Sequence, residues 1–296
     1  MRIISKLYIA LVIFFLYAPL AVMVVFSFNS SNSTAVFEDF SFRWYTELFK
    51  NSAVLNALGN TLLLAFLSAL IATVLGSAAA VGIFSYRKKW KKSLMMSVTN
   101  IPMMNPDIVT GISMMLLFVF LGRMLALRSS LSFITLLIAH ITFNLPYVIL
   151  SVMPKLNQLD THLSEAALDL GCTPFKAFFK AILPSISTGI VTGFIMAFTL
   201  SIDDFVISYF TTGPEFQTLP LLIYSMTKRR VTPDMYALST FMIIAIFLLL
   251  ILANLAGSRQ ELQAARQARK LRKQQEAKND KRKKSYSYFR RNFSNE

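Results

Sequence analysis

The chain has 296 residues, of which 55% are hydrophobic and only 15% are charged, and its mean hydropathy is +0.54. Soluble domains carry about 25% charged residues, so these values exclude an ordinary globular enzyme and a disordered chain. The single cysteine, Cys172, excludes a disulfide framework and a multi-cysteine metal site. We therefore expect a polytopic membrane protein.

The net charge of +15 is concentrated near one end of the chain. Residues 257–296 contain 13 Lys and Arg against four acidic residues. We divide the chain into a transmembrane domain, residues 1–256, and this basic tail. The tail is predicted to be partly disordered and attracted to anionic lipid; binding of nucleic acid by the tail is the less favoured alternative.

Six stretches are apolar and long enough to cross a bilayer, which needs about 20 apolar residues per helix. They cover residues 7–28, 57–84, 95–121, 131–153, 186–210 and 235–256. Arg2 and Lys6 before the first stretch are reminiscent of a signal peptide. Its length and the lack of a small-residue cleavage site predict an uncleaved anchor instead.

The charges between the stretches predict the orientation. With both termini in the cytoplasm, 23 of the 30 Lys and Arg lie on the cytoplasmic side, as the positive-inside rule requires. The predicted fold class is an all-α membrane protein with six transmembrane helices and cytoplasmic N- and C-termini. Outside, residues 29–56 predict an interfacial amphipathic helix, and residues 211–233 predict a segment that folds back toward the membrane.

The cytoplasmic segment 154–185 carries a spaced motif. The motif consists of Glu165-Ala166-Ala167, then Gly171, then Ile182-Leu183-Pro184. Small residues let a helix approach another protein closely, and Gly171 is free to end that helix at positive φ. Thr173 and Pro174 are typical of the first residues of a second helix. We predict two short helices at an angle, one presented to a groove on a partner; the alternative is a loop packed under its own bundle.

This pattern resembles the EAA motif of ABC importer permeases, and further stretches narrow the resemblance. They are Asn105–Val109, Phe198–Ser208 with Thr212-Gly213-Pro214, and Leu219-Pro220 with Ile223–Met226. These stretches are similar to the spermidine/putrescine importer permeases, and more to the second membrane subunit (PotC-type) of that importer. The resemblance covers residues 1–256 and does not extend to the tail.

The resemblance implies a type I ABC importer permease fold in the bacterial plasma (inner) membrane. The implied partners are a homologous permease subunit, a dimer of ATPase subunits, an extracytoplasmic polyamine-binding protein and membrane lipid. No cofactor is implied in this chain, because ATP and Mg are bound by the ATPase. The residues implied to couple to the ATPase are Glu165, Ala166, Ala167, Gly171 and Pro184.

Acidic residues within the apolar stretches indicate the substrate. An Asp at the bilayer centre costs about 2.5–3.5 kcal/mol, and none of the six stretches contains a Lys or Arg to pair with Asp203 and Asp204. A polycation from outside fits this pair, with aromatic faces such as Tyr209. Adjacent helical positions point about 100° apart, so we expect one Asp to face the pathway and the other to accept hydrogen bonds. The alternative is that both are structural.

Asp107 is a further candidate for the pathway. Asn105-Pro106-Asp107 predicts a helix that starts inside the membrane, and hence a broken helix of the kind found around transport pathways. A second interpretation is that Asp107 only stabilises the helix N-terminus. His140 and Asn144, four residues apart, are predicted to form interhelical hydrogen bonds rather than to bind substrate.

The sequence contains no phosphate-binding loop, HExxH or Gly-x-Ser-x-Gly motif, so we predict no catalytic residues and no metal ligands. The predicted function is the permease subunit of an ATP-driven polyamine importer. The alternative is the same kind of permease for an amino acid, iron or an inorganic anion. Lys228-Arg229-Arg230 outside would repel a polycation, which argues against a polyamine; the other interpretation is that they contact an acidic patch on the substrate-delivering protein. The missing metal-ligand cluster argues against an embedded enzyme, and the motif argues against a self-sufficient channel.

Overall fold

The computed structural model describes residues 2–32, 36–86, 88–126, 129–160, 162–228, 232–248 and 251. Within these ranges the regular structure is helical apart from one isolated antiparallel bridge between Asn29 and Phe40. The predicted basic tail, residues 257–296, lies outside the described residues, as do Arg229 and Arg230.

Twelve helices follow one another in the described part of the chain. They are α1 Arg2–Phe26, α2 Arg43–Lys50, α3 Ser52–Phe84, α4 Lys89–Met104, α5 Asp107–Met124, α6 Phe133–Asn157, α7 His162–Asp169, α8 Pro174–Ala177, α9 Leu183–Asp203, α10 Val206–Thr211, α11 Leu219–Thr227 and α12 Pro233–Leu248. A π-helical turn, Phe178–Ile182, joins α8 to α9.

Five helical segments are long and apolar enough to cross a membrane. They are Lys6–Phe26, Ser52–Phe84, Asp107–Met124, Phe133–Asn157 and Pro174–Asp203. The sixth predicted stretch, 235–256, corresponds to α12, which is shorter over the described residues; positions 249, 250 and 252–256 are not among them.

The third predicted stretch, 95–121, is broken into two helices. Asn105 is extended, with φ −78° and ψ 141°, between α4 and α5. The ring of Pro106 disfavours helical backbone at the residue before it. The break predicted from Asn105-Pro106-Asp107 is therefore present.

Three helices, α3, α6 and α9, form the centre of the bundle, and small residues bring them together. Ala72, Gly76 and Ala80 repeat at every fourth position of α3, as Gly189, Gly193 and Ala197 do in α9. A Cβ on Gly76 would lie 2.8 Å from Val148 Cβ of α6, and one on Gly193 would lie 3.3 Å from Val148 Cα. This small-residue spacing permits close helix packing within a membrane, where lipid is as apolar as the helices themselves.

Helix α1 differs from this centre, because none of its most apolar segment is buried against the rest of the chain. Helix α4 also has no buried residue. The predicted interfacial helix is α2, but it turns Trp44 and Leu48 toward the protein. Trp44 Nε1 donates to the Asn29 carbonyl at 2.7 Å, and Leu48 packs in an apolar cluster with Leu219 and Leu238.

The segment after α10 is bonded to α3 at two places. The Leu219 N–H at the start of α11 donates to Thr61 Oγ1 of α3 at 2.8 Å, and Asn60 Nδ2 donates to the Gln217 carbonyl at 3.1 Å. Helix α11 is thereby held against α3 and brings Tyr224 close to α10.

Candidate functional site

The segment with the Glu-Ala-Ala motif is the short helix α7, and Gly171 ends it. Gly171 has φ +81°, in the left-handed region that favours glycine. Its N–H donates to the Leu168 carbonyl at 2.8 Å, and the Cys172 N–H donates to the Ala167 carbonyl at 3.1 Å. These two bonds are those of a Schellman ending, so the helix end predicted at Gly171 is confirmed.

The next helix begins as predicted, but it does not remain short. Thr173 Oγ1 accepts a hydrogen bond from the Lys176 N–H at 3.4 Å, and Pro174 occupies the first turn. From there the chain stays helical to Asp203, so the helix that contains the fifth predicted span begins before Ile186. The π-helical turn ends two residues before Pro184, whose ring would crowd the carbonyl four residues earlier in a regular α-helix.

The residues predicted to couple to a partner lie at the surface of this segment. Glu165, Ala166, Gly171 and Pro184 are exposed, and Ala167 is half-buried. Beside them, Leu170 is 85% exposed and Phe175 is 74% exposed. Sequence reasoning missed these two, although large apolar residues on both sides of a chain reversal were a visible signal.

We expect Gly171→Ala to loosen the end of α7. The space around Gly171 is open, so the cost is conformational: an L-residue at positive φ loses about 1–2 kcal/mol. Backbone amide exchange at Leu170–Cys172 should therefore become roughly 5- to 30-fold faster, because 1.4 kcal/mol is a factor of ten.

Gly82→Ala is the matched control for this substitution. Gly82 also has open space around a new Cβ, but it lies within α3 at an ordinary φ. Ala there should leave exchange in the loop unchanged, and Gly171→Asn should fall between the two because Asn tolerates positive φ. Equal exchange in the Gly171→Ala and Gly82→Ala proteins would contradict a role for backbone conformation at this position.

At the far end of α9 the helix is broken beside the two predicted carboxylates. Helix α9 ends at Asp203, Asp204 is extended with φ −64° and ψ 120°, and α10 begins at Val206. The Asp203 side chain belongs to an exposed residue, whereas only 8% of the Asp204 side chain is exposed. The predicted fifth span, 186–210, is thus two helices, and the two adjacent carboxyl groups have different surroundings.

The Asp204 carboxylate is engaged within the chain. Its Oδ1 accepts from the Ile207 N–H at 3.2 Å, and its Oδ2 accepts from the Ser208 N–H at 2.8 Å. His140 Nε2 of α6 lies 3.4 Å from the same Oδ2. Asp204 therefore caps α10, where the helix dipole and free N–H groups stabilise a negative charge.

An aromatic cluster lies next to the break. The Phe205 ring is 5.6 Å from the Tyr209 ring and 4.6 Å from the Tyr224 ring, and Tyr209 is 46% exposed. Lys228 Nζ lies over the Tyr224 ring, 4.6 Å from its centroid. A hydrogen bond with Tyr224 raises the pKa of the Lys228 ammonium, which is thus charged at neutral pH. Sequence reasoning did not assign Tyr224 to the site, because α11 brings it there from another part of the chain.

Asp107 lies at the second break, which packs against the first. It is the exposed first residue of α5, and no side-chain hydrogen bond caps that helix. One turn further on, a Cβ on Gly111 would lie 2.9 Å from Phe210 Cδ2 and 3.5 Å from the Val206 carbonyl oxygen. The half-helices α5 and α10 are therefore in close contact, and both begin with a carboxylate at or before their first turn.

Two regions thus hold the predicted residues. Asp203, Asp204 and Tyr209 surround one helix break, with Asp107 at the neighbouring break. The motif residues lie at the other end of α9, whose 21 residues span about 30 Å. The arrangement presents an exposed carboxylate and aromatic faces at one end, and the exposed apolar side chains of Leu170 and Phe175 at the other.

The chain is similar to known transport permeases. The chain is 37% identical over 249 residues to the putrescine transport system permease protein PotI of Escherichia coli K12, covering 84% of this chain and 89% of that protein. It is also 37% identical to the spermidine/putrescine transport system permease protein PotC of the same organism, covering 81% and 89%.

A solved structure shares the fold. A chain of a bacterial ABC transporter involved in the import of the acidic polysaccharide alginate superposes with a TM-score of 0.69 at 16% identity, covering 87% of this chain and 95% of that one. Residues 72–261 match the family described as "Binding-protein-dependent transport system inner membrane component". Because the match covers most of the chain, the protein belongs to this family of type I ABC transporter permeases.

Proposed function

We propose that this chain is the transmembrane permease subunit of an ATP-driven importer for polyamines such as spermidine and putrescine. The observation that carries the proposal is the exposed Asp203 beside the aromatic cluster of Phe205, Tyr209 and Tyr224. The names of the relatives that share 37% of its residues support the same substrate class.

The chemistry of the cluster fits a chain of ammonium groups separated by methylene groups. A carboxylate forms charge-assisted hydrogen bonds with ammonium groups, and aromatic faces attract cations while packing against methylenes. Lys228 supports this assignment, because its own ammonium group lies over the Tyr224 ring. The same Lys228 favours the alternative, a permease for an amino acid, iron or an inorganic anion, since a fixed positive charge at the cluster repels a polycation.

We assign substrate contact to Asp203 and Tyr209, with Asp107 at the neighbouring break, and we assign Asp204 to the pathway as the residue that holds α10. Helix breaks of this kind expose backbone and side chains to a pathway within a membrane. The pathway would lie between this chain and a homologous permease subunit. The apolar surfaces of α1 and α4, which are not buried in this chain, support contact with that subunit and with lipid.

Energy would come from partners. Two ATPase subunits, which bind ATP and Mg, would dock on α7 and the adjoining Leu170 and Phe175 on the cytoplasmic side of the bacterial plasma membrane. A polyamine-binding protein would dock outside. Both termini would be cytoplasmic and α12 would complete six spans, as the distribution of 23 of 30 basic residues favours.

The continuous helix Pro174–Asp203 offers a mechanical link between the two regions. Closure of the ATPases would move α7, and the rigid helix would carry that movement to the break at Asp204. The bundle would then alternate between inward- and outward-facing states, with the substrate released by the change in shape at the break.

The proposal is tested by the ATPase activity of the complex that copurifies with this chain, reconstituted in lipid with its binding protein. We expect spermidine to stimulate hydrolysis several-fold, because substrate-loaded binding protein would favour the outward-facing state. Alginate oligosaccharide, a polyanion, serves as the control substrate. ATPase activity that is unchanged by spermidine and by putrescine would contradict the assignment of polyamines as the substrate. The absence of any copurifying ATPase would contradict the assignment as an importer subunit.

A further inference from the structure

A buried hydrogen-bonded network crosses the bundle at the break between α9 and α10. Its members are Ser68 of α3, His140 and Asn144 of α6, Ser201 of α9, and Ser208 of α10. Ser201 Oγ is 3.0 Å from Ser68 Oγ, accepts from Asn144 Nδ2 at 2.8 Å, and is 3.2 Å from His140 Nδ1. Four helices therefore meet around one serine and one histidine.

The contacts of His140 indicate that its Nε2 carries a proton. An ionised carboxylate only accepts hydrogen bonds, so Asp204 Oδ2, 3.4 Å from His140 Nε2, requires a proton on Nε2. The same N–H reaches Ser208 Oγ at 3.0 Å. Nδ1 lies 3.2 Å from Ser201 Oγ, which completes the link from α6 to α9. A proton on Nε2 fits both contacts of that nitrogen.

The two neighbouring carboxylates, Asp203 and Asp204, differ in their contacts within the protein. The Asp204 carboxylate accepts from the N–H groups of Ile207 and Ser208 and lies 3.4 Å from His140 Nε2, and in the described part of the chain these groups stabilise its charge in place of a Lys or Arg. The exposed Asp203 does not take part in this network. The orientation of α10, which carries Tyr209, relative to the end of α9, which carries Asp203, depends on the bonds from His140.

We propose that His140 is a positioning residue for substrate translocation, which fixes the α9–α10 break through Asp204 and Ser208. It thereby holds Asp203 in a constant relation to the aromatic cluster, while Asp204 makes no contact with substrate. The inference rests on the proposed function, because it assumes that this break lines the pathway. Neither the motif at α7 nor the ATPase contact depends on it.

Two amide substitutions at His140 distinguish a positioning role, which needs a donor at Nε2, from a role in packing alone. The amide nitrogen of Gln reaches about the position of imidazole Nε2, whereas that of Asn reaches about the position of Nδ1. We expect His140→Gln to retain spermidine uptake within about two-fold of the unsubstituted complex. His140→Asn should lower uptake at least ten-fold, because the contact with Asp204 is lost. Thr142→Ala, on the same helix with a hydroxyl bonded only to the Ile138 carbonyl among the hydrogen bonds described, is the control and should leave uptake unchanged.

Two kinetic quantities are measured separately. One is the concentration of spermidine-loaded binding protein that gives half-maximal ATPase stimulation, and the other is the maximal rate, expressed as transport per ATP hydrolysed. Positioning predicts that His140→Asn lowers the maximal transport per ATP hydrolysed with assembled complex still present. A role in folding alone would lower the yield of both amide variants together. Equal uptake by the Gln and Asn variants, at either level, would overturn the proposal.

Asp204→Asn tests the same proposal without changing His140. The amide keeps an oxygen for the N–H groups of α10, so we expect it to retain several-fold more uptake than Asp203→Asn. Loss of uptake as complete as that of Asp203→Asn would show that Asp204 meets the substrate and would overturn the positioning role. If the unsubstituted complex responds to a substrate other than spermidine, the proposed function fails, and the same series with that substrate still decides the role of His140.

Discussion

Asp203→Asn should reduce spermidine uptake at least ten-fold while the complex still assembles. A hydrogen bond to a charged group contributes about 1.5–3 kcal/mol, and each 1.4 kcal/mol corresponds to a factor of ten. Asn keeps the size of the side chain but not the charge that an ammonium group requires. Because the Asp203 residue is exposed, the amide leaves no buried group without its partner. The measurement is uptake of labelled spermidine by proteoliposomes containing the complete complex.

Two further substitutions identify the cause of this expected loss. Asp203→Glu keeps the charge one methylene further out and should restore part of the uptake. Asp39→Asn removes an exposed carboxylate in the segment between α1 and α2, far along the chain from the break, and should have no effect on uptake. Normal uptake by the Asp203→Asn complex would remove Asp203 from the pathway and, with it, the observation that carries the polyamine proposal.

The features that the sequence predicts well are set by neighbouring residues. The end of α7 depends only on the φ of Gly171 and on the hydrogen bonds of the Gly171 and Cys172 N–H groups. The start of the next helix depends only on the Thr173 cap and on Pro174 in the first turn. Pro106 breaks the third stretch by contact with the residue before it. Such effects act over one turn, so a pattern of a few residues is enough to predict them.

The break at Asp204 depends on distant residues, which explains why it was missed. No Pro or Gly occurs between Gly193 and Gly213, and residues 186–210 read as one apolar helix. The break is stabilised instead when the Asp204 carboxylate caps α10 and approaches His140, more than 60 residues earlier. Tyr224 likewise reaches the cluster only because α11 folds back on α3. These contacts belong to the packed bundle and have no local signature.

The early start of the helix that contains the fifth predicted span has a different reason. The motif ends at Pro184, and proline usually interrupts a helix. In the structure the π-helical turn at Phe178–Ile182 precedes Pro184, and the helix continues through it. As a result, one helical segment, Pro174–Asp203, leads from the motif segment to the break at Asp204.

Leu170→Asp should remove most of the substrate-stimulated ATPase activity, by at least ten-fold, because the ATPase no longer docks. Leu170 is 85% exposed beside α7, and burying a leucine on a partner contributes about 1.5–3 kcal/mol. A carboxylate in the same contact adds the cost of removing a charge from water. The measurement is the amount of ATPase that copurifies with the tagged chain, together with its rate of hydrolysis with and without spermidine.

Leu125→Asp provides the matched control, since Leu125 is 65% exposed in the turn after α5 and not in the motif segment. We expect the Leu125→Asp complex to retain its ATPase. Gly171 makes the comparison informative, because its Schellman ending fixes the direction in which Leu170 leaves α7. If Leu170→Asp retains a full complement of ATPase with normal stimulation, the docking surface lies elsewhere. In that case the proposed mechanical link from the ATPase through α9 would fail. The assignment of Asp203, at the other end of the helix, would be unaffected.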